Sequence, residues 1–212
     1  MAGILTQLGI PLSDDPAKLS DPDFGNPKGQ FEDKELTVIN NRILEHADAK
    51  WWYEIPDPEK IEKVANESGF EDFIRKVIAK RDNAADVWAA KDPRFTVTYP
   101  LIRPFLRNPH VIYCGRSMEQ TILSLRRVFK YVGMAIPAEP YTFWATVSIR
   151  CLNYLFSLED PLFVLSFERM MKTPERTAKD IAKFVGKKMT ELAYDWIDPN
   201  LQTITDEGEK EE

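Results

Sequence analysis

The chain has 212 residues, of which 43% are hydrophobic and 11% aromatic, enough for one domain with a substantial core and a short appendage. A formal net charge of -6 argues against general nucleic-acid binding, and no run approaches the roughly 20 apolar residues that cross a bilayer. With only Cys114, Cys151, His46 and His110 available, neither a disulfide framework nor a zinc centre is expected.

The start, Met1 to Gly9, lacks the basic region and cleavage site of a signal peptide, so a soluble, cytoplasmic protein is expected. Residues 1–8 read as a helix that Gly9 ends. A domain that opens inside a helix, with no strand or cap before it, is unusual. Residues 13–30 form a long polar loop rich in Asp, Pro and Gly, and a loop of that length is functional or mobile. Glu32 and Asp33 lead into a helix over 34–47, buried through Leu36, Ile39, Ile43 and Leu44. Trp51, Trp52 and Tyr53 either line a cleft or anchor a loop to the core. Helices follow over 58–66 and 69–81, the second with Phe73, Ile74, Val77 and Ile78 inward. Residues 86–91 read as a short strand broken by Asp92 and Pro93. A helix interrupted by Pro100 and Pro104 then spans 94–106.

Residues 110–114 are a short apolar run that reads as a buried strand ending at Gly115. Ser117 is an N-cap with Gln120 placed to close a capping box, and Ile122, Leu125, Val128, Phe129 and Val132 form the helix's apolar stripe. Arg116 thus stands at the carboxyl end of a strand, beside a helix N-terminus that favours an anion. Ser124 lies about two turns along the helix. A guanidinium and a hydroxyl so placed make a phosphate clasp; the plainer reading is an Arg that caps a carbonyl and a Ser facing solvent. A long aromatic helix over 137–158 and a third strand over 162–166 come next. Thr173 and Pro174 then open a helix that Gly186 closes, and a last helix spans 188–196. The acidic segment 202–212 is expected to be a disordered tail on a single domain over 1–201. Strands alternating with helices imply an α/β layer fold with a mainly parallel sheet, and ligands in such folds sit at the carboxyl ends of the strands. Lys91 and Arg116 both fall at such ends.

These motifs resemble the sulfotransferases that use 3′-phosphoadenosine-5′-phosphosulfate (PAPS). The block Ala90, Lys91, Asp92, Pro93, Arg94, followed by a strand and the Arg116 to Ser124 interval, resembles the part of that family around the cofactor 3′-phosphate. The Lys-Asp-Pro block is also similar to one in the tyrosylprotein sulfotransferases. Asn26 to Asp33 resembles an Asn-x-x-Gly-Tyr-x-Glu segment of bacterial members, and Ser166 to Glu168, Pro174, Phe184 to Gly186 and Ile197 to Leu201 resemble their closing segments. The resemblance implies a P-loop-like three-layer fold with a short, mainly parallel sheet flanked by helices. It further implies Arg116 and Ser124 on the 3′-phosphate, Lys91 neutralising charge on the transferred group or the bridging oxygen, and PAPS as donor with no metal. Where the family usually has Arg-x-Pro or Arg-x-Gly, this chain has Arg116, Ser117, Met118. The family's Pro-Arg/Lys-Ser-Gly-Thr loop, which cradles the 5′-phosphosulfate, is absent from the sequence. Residues 1–5 resemble the helix after that loop, so the chain is expected to start late, without its first strand. Glu32 is the candidate base for the acceptor hydroxyl, or else a first-turn acid; Glu168 is the second candidate. The acceptor is a small molecule, sugar or peptide that no motif identifies, and no feature sets the oligomeric state. The alternative is a catalytically inactive relative that binds nucleotide or a partner. A nucleotide kinase is disfavoured, since it too needs the absent loop.

Overall fold

Residues 1–22, 26, 28–49, 54, 56–67, 69–133, 135–198, 204–205 and 208–209 are described by the computed structural model. The aromatic cluster Trp51, Trp52 and Tyr53 lies outside the described residues. Helix α1 (Ala2–Gln7) ends at Gly9, whose φ of 74° is the left-handed conformation that glycine tolerates best. After a 3-10 turn at Pro16–Lys18 come α2 (Lys34–His46), α3 (Pro58–Glu67), α4 (Phe70–Ala84) and α5 (Phe95–Ile102). Pro100 is tolerated near the end of α5, and Pro104 falls in a following 3-10 turn, Arg103–Phe105. Strand β1 (Val111–Gly115), α6 (Met118–Val132), α7 (Pro140–Ser157), β2 (Leu162–Ser166), α8 (Phe167–Lys172), α9 (Pro174–Phe184) and α10 (Glu191–Asp195) complete the main body. Among the described residues, no helix is long and apolar enough to cross a membrane.

β1 and β2 pair in parallel, Val111 opposite Leu162 and Gly115 opposite Ser166. Because side chains alternate along a strand, Ile112, Phe163 and Leu165 share one face. They pack there with Ile4 and Leu5 of α1, Met170 of α8 and Ile181 of α9. A second core unites α2 to α5 through Ile39, Ile43, Ile74, Val77 and Ile102. The architecture is therefore α/β, with a short parallel sheet flanked by helices.

Several expected elements differ. Residues 86–91 are not a strand: Ala89 N–H donates to Pro11 O at 2.9 Å, but Val87 is 46% exposed and no continuous ladder forms. An apolar run becomes a strand only when a neighbour offers a ladder of backbone partners. Lys91 consequently does not sit at a strand end. The long aromatic helix starts at Pro140 rather than 137, and its Tyr141 and Phe156 point to solvent. The last helix is only Glu191–Asp195, and α8, directly after β2, had no period long enough to show in the sequence. In the segment expected to be a disordered tail, Ile204–Thr205 and Gly208–Glu209 form an antiparallel pair.

Two contacts between elements carry more than packing. Gly3 lies against Trp196, where an added Cβ would stand 1.9 Å from the indole Nε1. Arg81 of α4 is 1% exposed; its Nη2 donates to Asp33 at 2.5 Å and approaches Asp14 at 3.3 Å, while Nη1 reaches Glu35 at 2.8 Å. Burial pushes the Glu35 carboxyl up, but hydrogen bonds from Lys80 and Arg81 outweigh it and hold the group below its usual range. A hydrogen bond from Lys18 chiefly holds Asp14 low as well.

Arg81→Met is expected to cost about 3–5 kcal/mol by chemical denaturation, because it strands a buried Asp33 without its cation. Both Asp14 and Glu35 have depressed folded pKa values, so their contribution is full above the ordinary carboxylate range and is lost as pH falls through the folded values. The wild type should lose stability below about pH 4, and the variant should show a flatter acid limb. Separately, Gly3→Ala should lower stability by about 1–3 kcal/mol, read as a fall in thermal midpoint, since Trp196 must move.

Candidate functional site

Glu32 is held from both sides in sequence. Before it, Phe31 adopts φ 59°, a left-handed conformation uncommon for a residue with a Cβ. The Phe31 ring meets Trp196 edge-on at 5.8 Å, and Lys28 Nζ donates to the Trp196 carbonyl at 2.8 Å. After it, Asp33 caps α2 by accepting from the N–H groups of Glu35 and Leu36, and its other oxygen takes Arg81. The Glu32 carbonyl accepts from Ser20 N–H at 2.8 Å. Thus a loop residue acquires a fixed position and is buried, only 7% of the residue remaining exposed.

That position faces the Lys91 block. Lys91 Nζ donates to Glu32 Oε1 at 2.7 Å, and Arg94 Nη1 donates to Oε2 at 3.3 Å. Arg94 also donates to Asp92 Oδ1 at 2.9 Å and through Nε to Asn41 Oδ1 at 2.6 Å. Behind them, fully buried Asn40 donates to Asp92 Oδ2 at 2.9 Å and accepts from Thr98 Oγ1 at 2.9 Å. Pairing of Glu32 with Lys91 was not deduced from sequence, nor was the part of Asn40 and Asn41. A signal existed for Asn40, which lies within the buried stripe Leu36, Ile39, Ile43 of α2. A buried amide is expected to have partners.

At the end of β1, Arg116 lies 4.5 Å over the Phe167 ring and donates from Nε to Gln120 Oε1 at 3.1 Å. Burial pushes the Arg116 pKa down, against the opposing pull of Glu168. Ser117 caps α6 by accepting from Gln120 N–H. The expected capping box is only half made. Gln120 turns its amide to Arg116, and the Ser117 N–H donates instead to Glu168 Oε1 at 2.7 Å. Ser166 Oγ donates to the other Glu168 oxygen at 2.7 Å. Burial pushes the Glu168 carboxyl up, but these two donors win and hold it low. Glu168 is therefore a capping carboxylate tying β2 to α6, which leaves it poorly suited to act as a base.

Ser124 is half-buried. At about 100° per residue, Gln120 and Ser124 share one face of α6, the side towards Arg116. No direct Arg116–Ser124 bond forms among the described residues; Gln120 intervenes. The structure thus brings Lys91 and Glu32 into contact and aligns Arg116 with Ser124 without joining them. Burial pushes the thiol of Cys114, the residue before the end of β1, up, with weaker opposing pulls from the Met1 amino group and Lys91. Arg103 pairs with Asp160 and Arg107 with Asp82. Both cysteines are free thiols.

No protein-family model, curated protein or solved structure matches the chain.

Asn40→Ala removes the shared partner of Asp92 and Thr98 at a buried site. It should cost about 2–6 kcal/mol, one to three for each group left short. Thermal unfolding measures this, and Thr98→Val in the Asn40→Ala background should add less than it does alone, because the two share one network.

Proposed function

We propose that the chain is a sulfotransferase-like protein with a P-loop-like three-layer fold. In this reading it binds PAPS and transfers a sulfuryl group to an acceptor hydroxyl on a small molecule, sugar or peptide. The observation that carries the reading is the half-buried Arg116 guanidinium at the carboxyl end of the parallel β1–β2 pair. Ligands of open α/β sheets occupy that end. The donors suited to a phosphate monoester are the planar Arg116 guanidinium and the neighbouring Ser124 hydroxyl, since the α6 N-terminus already holds the Glu168 carboxylate. They fit the 3′ side of the nucleotide better than the 5′ side, for which the described residues offer Lys91 but no backbone loop.

When bound, PAPS supplies an activated sulfuryl group, whose displacement needs alignment and charge neutralisation more than covalent help from the protein. Arg116 and Ser124 would hold the 3′-phosphate, and Arg116, already desolvated over Phe167, would do so at little cost in reordering. Lys91 would release one hydrogen bond to Glu32 and turn to the transferred group. Glu32, freed of that proton donor, would then accept the proton of the acceptor hydroxyl. Arg94, Asp92 and Asn41 keep the carboxylate and the ammonium in register while they exchange partners.

A second reading, a non-catalytic nucleotide-binding relative, is favoured by one specific feature. Both oxygens of Glu32 already accept hydrogen bonds from cations, so neither is free to meet an acceptor hydroxyl.

Calorimetry with adenosine 3′,5′-bisphosphate tests the binding step. Arg116→Ala should weaken binding about ten- to hundredfold, as expected for loss of a charged hydrogen-bond donor, and Ser124→Ala should weaken it less. Binding that ignores Arg116→Ala would sink the clasp. Radiolabelled PAPS separates the two readings. In the catalytic one, Lys91→Ala lowers transfer by about 10²–10³-fold while bisphosphate affinity changes little. Binding without any transfer by the wild type would establish the second.

A further inference from the structure

Charge is unevenly spread along the chain. Residues 169–191 hold seven basic side chains against Glu175, Asp180 and Glu191, a net +4, so the other residues together carry -10 of a total of -6. Helix α9 is the spine of this basic region. Its Thr177, Ala178, Ile181 and Ala182 are buried, the last three in the core under the sheet. At about 100° per residue, Arg176, Lys179 and Lys183 fall within an arc of about 60° on the opposite side. Two acids beside this row are already engaged, Glu175 with Lys179 and Asp180 with Arg169. Lys172, Arg176, Lys183 and Lys188 are exposed and Lys187 is half-buried; among the described residues none of the five has an acidic partner. Lys172 ends α8, while Lys187 and Lys188 follow α9, so the cations continue at both ends of a helix about 16 Å long. The turn after α9 is closed by the Lys187 N–H, which donates to Ala182 O at 2.9 Å. Leu192, on the α10 helix that packs against α9, is 64% exposed. The row lies away from Arg116. Phe184 at the end of α9 meets His110, just before β1, at 5.4 Å between rings, whereas Arg116 follows the far end of that strand.

We infer that α9 and its flanking lysines form a docking ridge for an anionic lipid surface. A single outward row of cations on a helix suits an extended partner. Five cations without an internal partner fall within the roughly four to eight that hold basic helices at anionic headgroups. Four of the five are lysines, mobile point charges that suit a diffuse anionic surface better than the planar pairing arginine makes with a carboxylate. Nucleic acid is the poorer fit: Phe184 is the aromatic residue of this segment, and its ring is taken up by His110 and Phe163 rather than offered to a base. The apolar face of α9 is committed to the core, so the contact is electrostatic, with Leu192 as a shallow apolar addition. A planar membrane meets only this side of the molecule. The acidic remainder beyond about 8 Å is screened at physiological salt.

Sedimentation of the full chain with lipid vesicles tests the inference. The protein should pellet with phosphatidylcholine vesicles that contain about one-third phosphatidylserine, and stay in solution with phosphatidylcholine alone. Raising the salt from about 0.1 to about 0.5 M should release it. Arg176→Glu, Lys183→Glu and Lys187→Glu together should weaken vesicle binding about tenfold or more. Lys60→Glu, Lys76→Glu and Lys130→Glu together change the net charge equally, at exposed lysines on other helices, and should weaken it no more than about threefold. Circular dichroism checks that both variants fold. Pelleting with phosphatidylcholine alone overturns the inference, as does failure to pellet with the anionic vesicles or an equal loss in the two triple variants. Tighter binding of a DNA duplex than of the vesicles, lost in the ridge variant, overturns it by giving the ridge to nucleic acid. Loss of vesicle binding in Arg116→Ala also overturns it, by placing the contact on the nucleotide face. Because vesicle binding needs no nucleotide, the two proposals stand or fall separately.

Discussion

The Arg81–Asp33 ion pair is the constraint from which the rest of the candidate site follows. A guanidinium with 1% exposure is tolerable only when carboxylates surround it, and Asp14, Asp33 and Glu35 do so from a loop and a helix start. Asp33 meets a second demand at the same time, because its other oxygen caps α2. One residue therefore fixes where the long polar loop ends and where α2 begins. Glu32, immediately before it, has no freedom left except through its side chain. The turn at Phe31, pinned on Trp196, closes off the other side.

Charge at the carboxyl end of the sheet is balanced inside the protein. Glu32 lies between Lys91 and Arg94, Asp92 between Arg94 and Asn40, and Glu168 between the Ser117 N–H and Ser166. The buried part of these networks, around Asn40, Asp92 and Thr98, is worth more than isolated surface pairs because its members are desolvated and partnered. They also set the terms on which any ligand enters. An anion near Lys91 competes with Glu32, whereas one near Arg116 meets a guanidinium held by an aromatic face and a neutral amide.

Helices were legible wherever a long apolar period coincided with a stop signal. Helix α2 with its stripe at Leu36, Ile39, Ile43 and Leu44, and the α9 start at Pro174, are examples. The two strands that pair, β1 and β2, were also legible as short apolar runs. Residues 86–91 looked the same but found no ladder, because a strand is a property of two segments and composition reports only one. Gln120 shows the same limit at the level of one side chain. Its spacing from Ser117 suits a capping box, yet Arg116 and Glu168 offer better partners once β2 and α8 arrive.

By itself the sequence determined the α/β class, most helix positions, the N-cap at Ser117 and the residues worth weighing as a site: Lys91, Arg116, Ser124 and Glu32. These are consequences of local period, of turn chemistry and of charge in a small window. Only the tertiary structure decided that Glu32 meets Lys91 and Arg94 and that Glu168 caps α6. Those contacts join segments tens of residues apart, such as Glu32 and Lys91. Burial selects among many possible ionic pairings the few in which every charge keeps a partner.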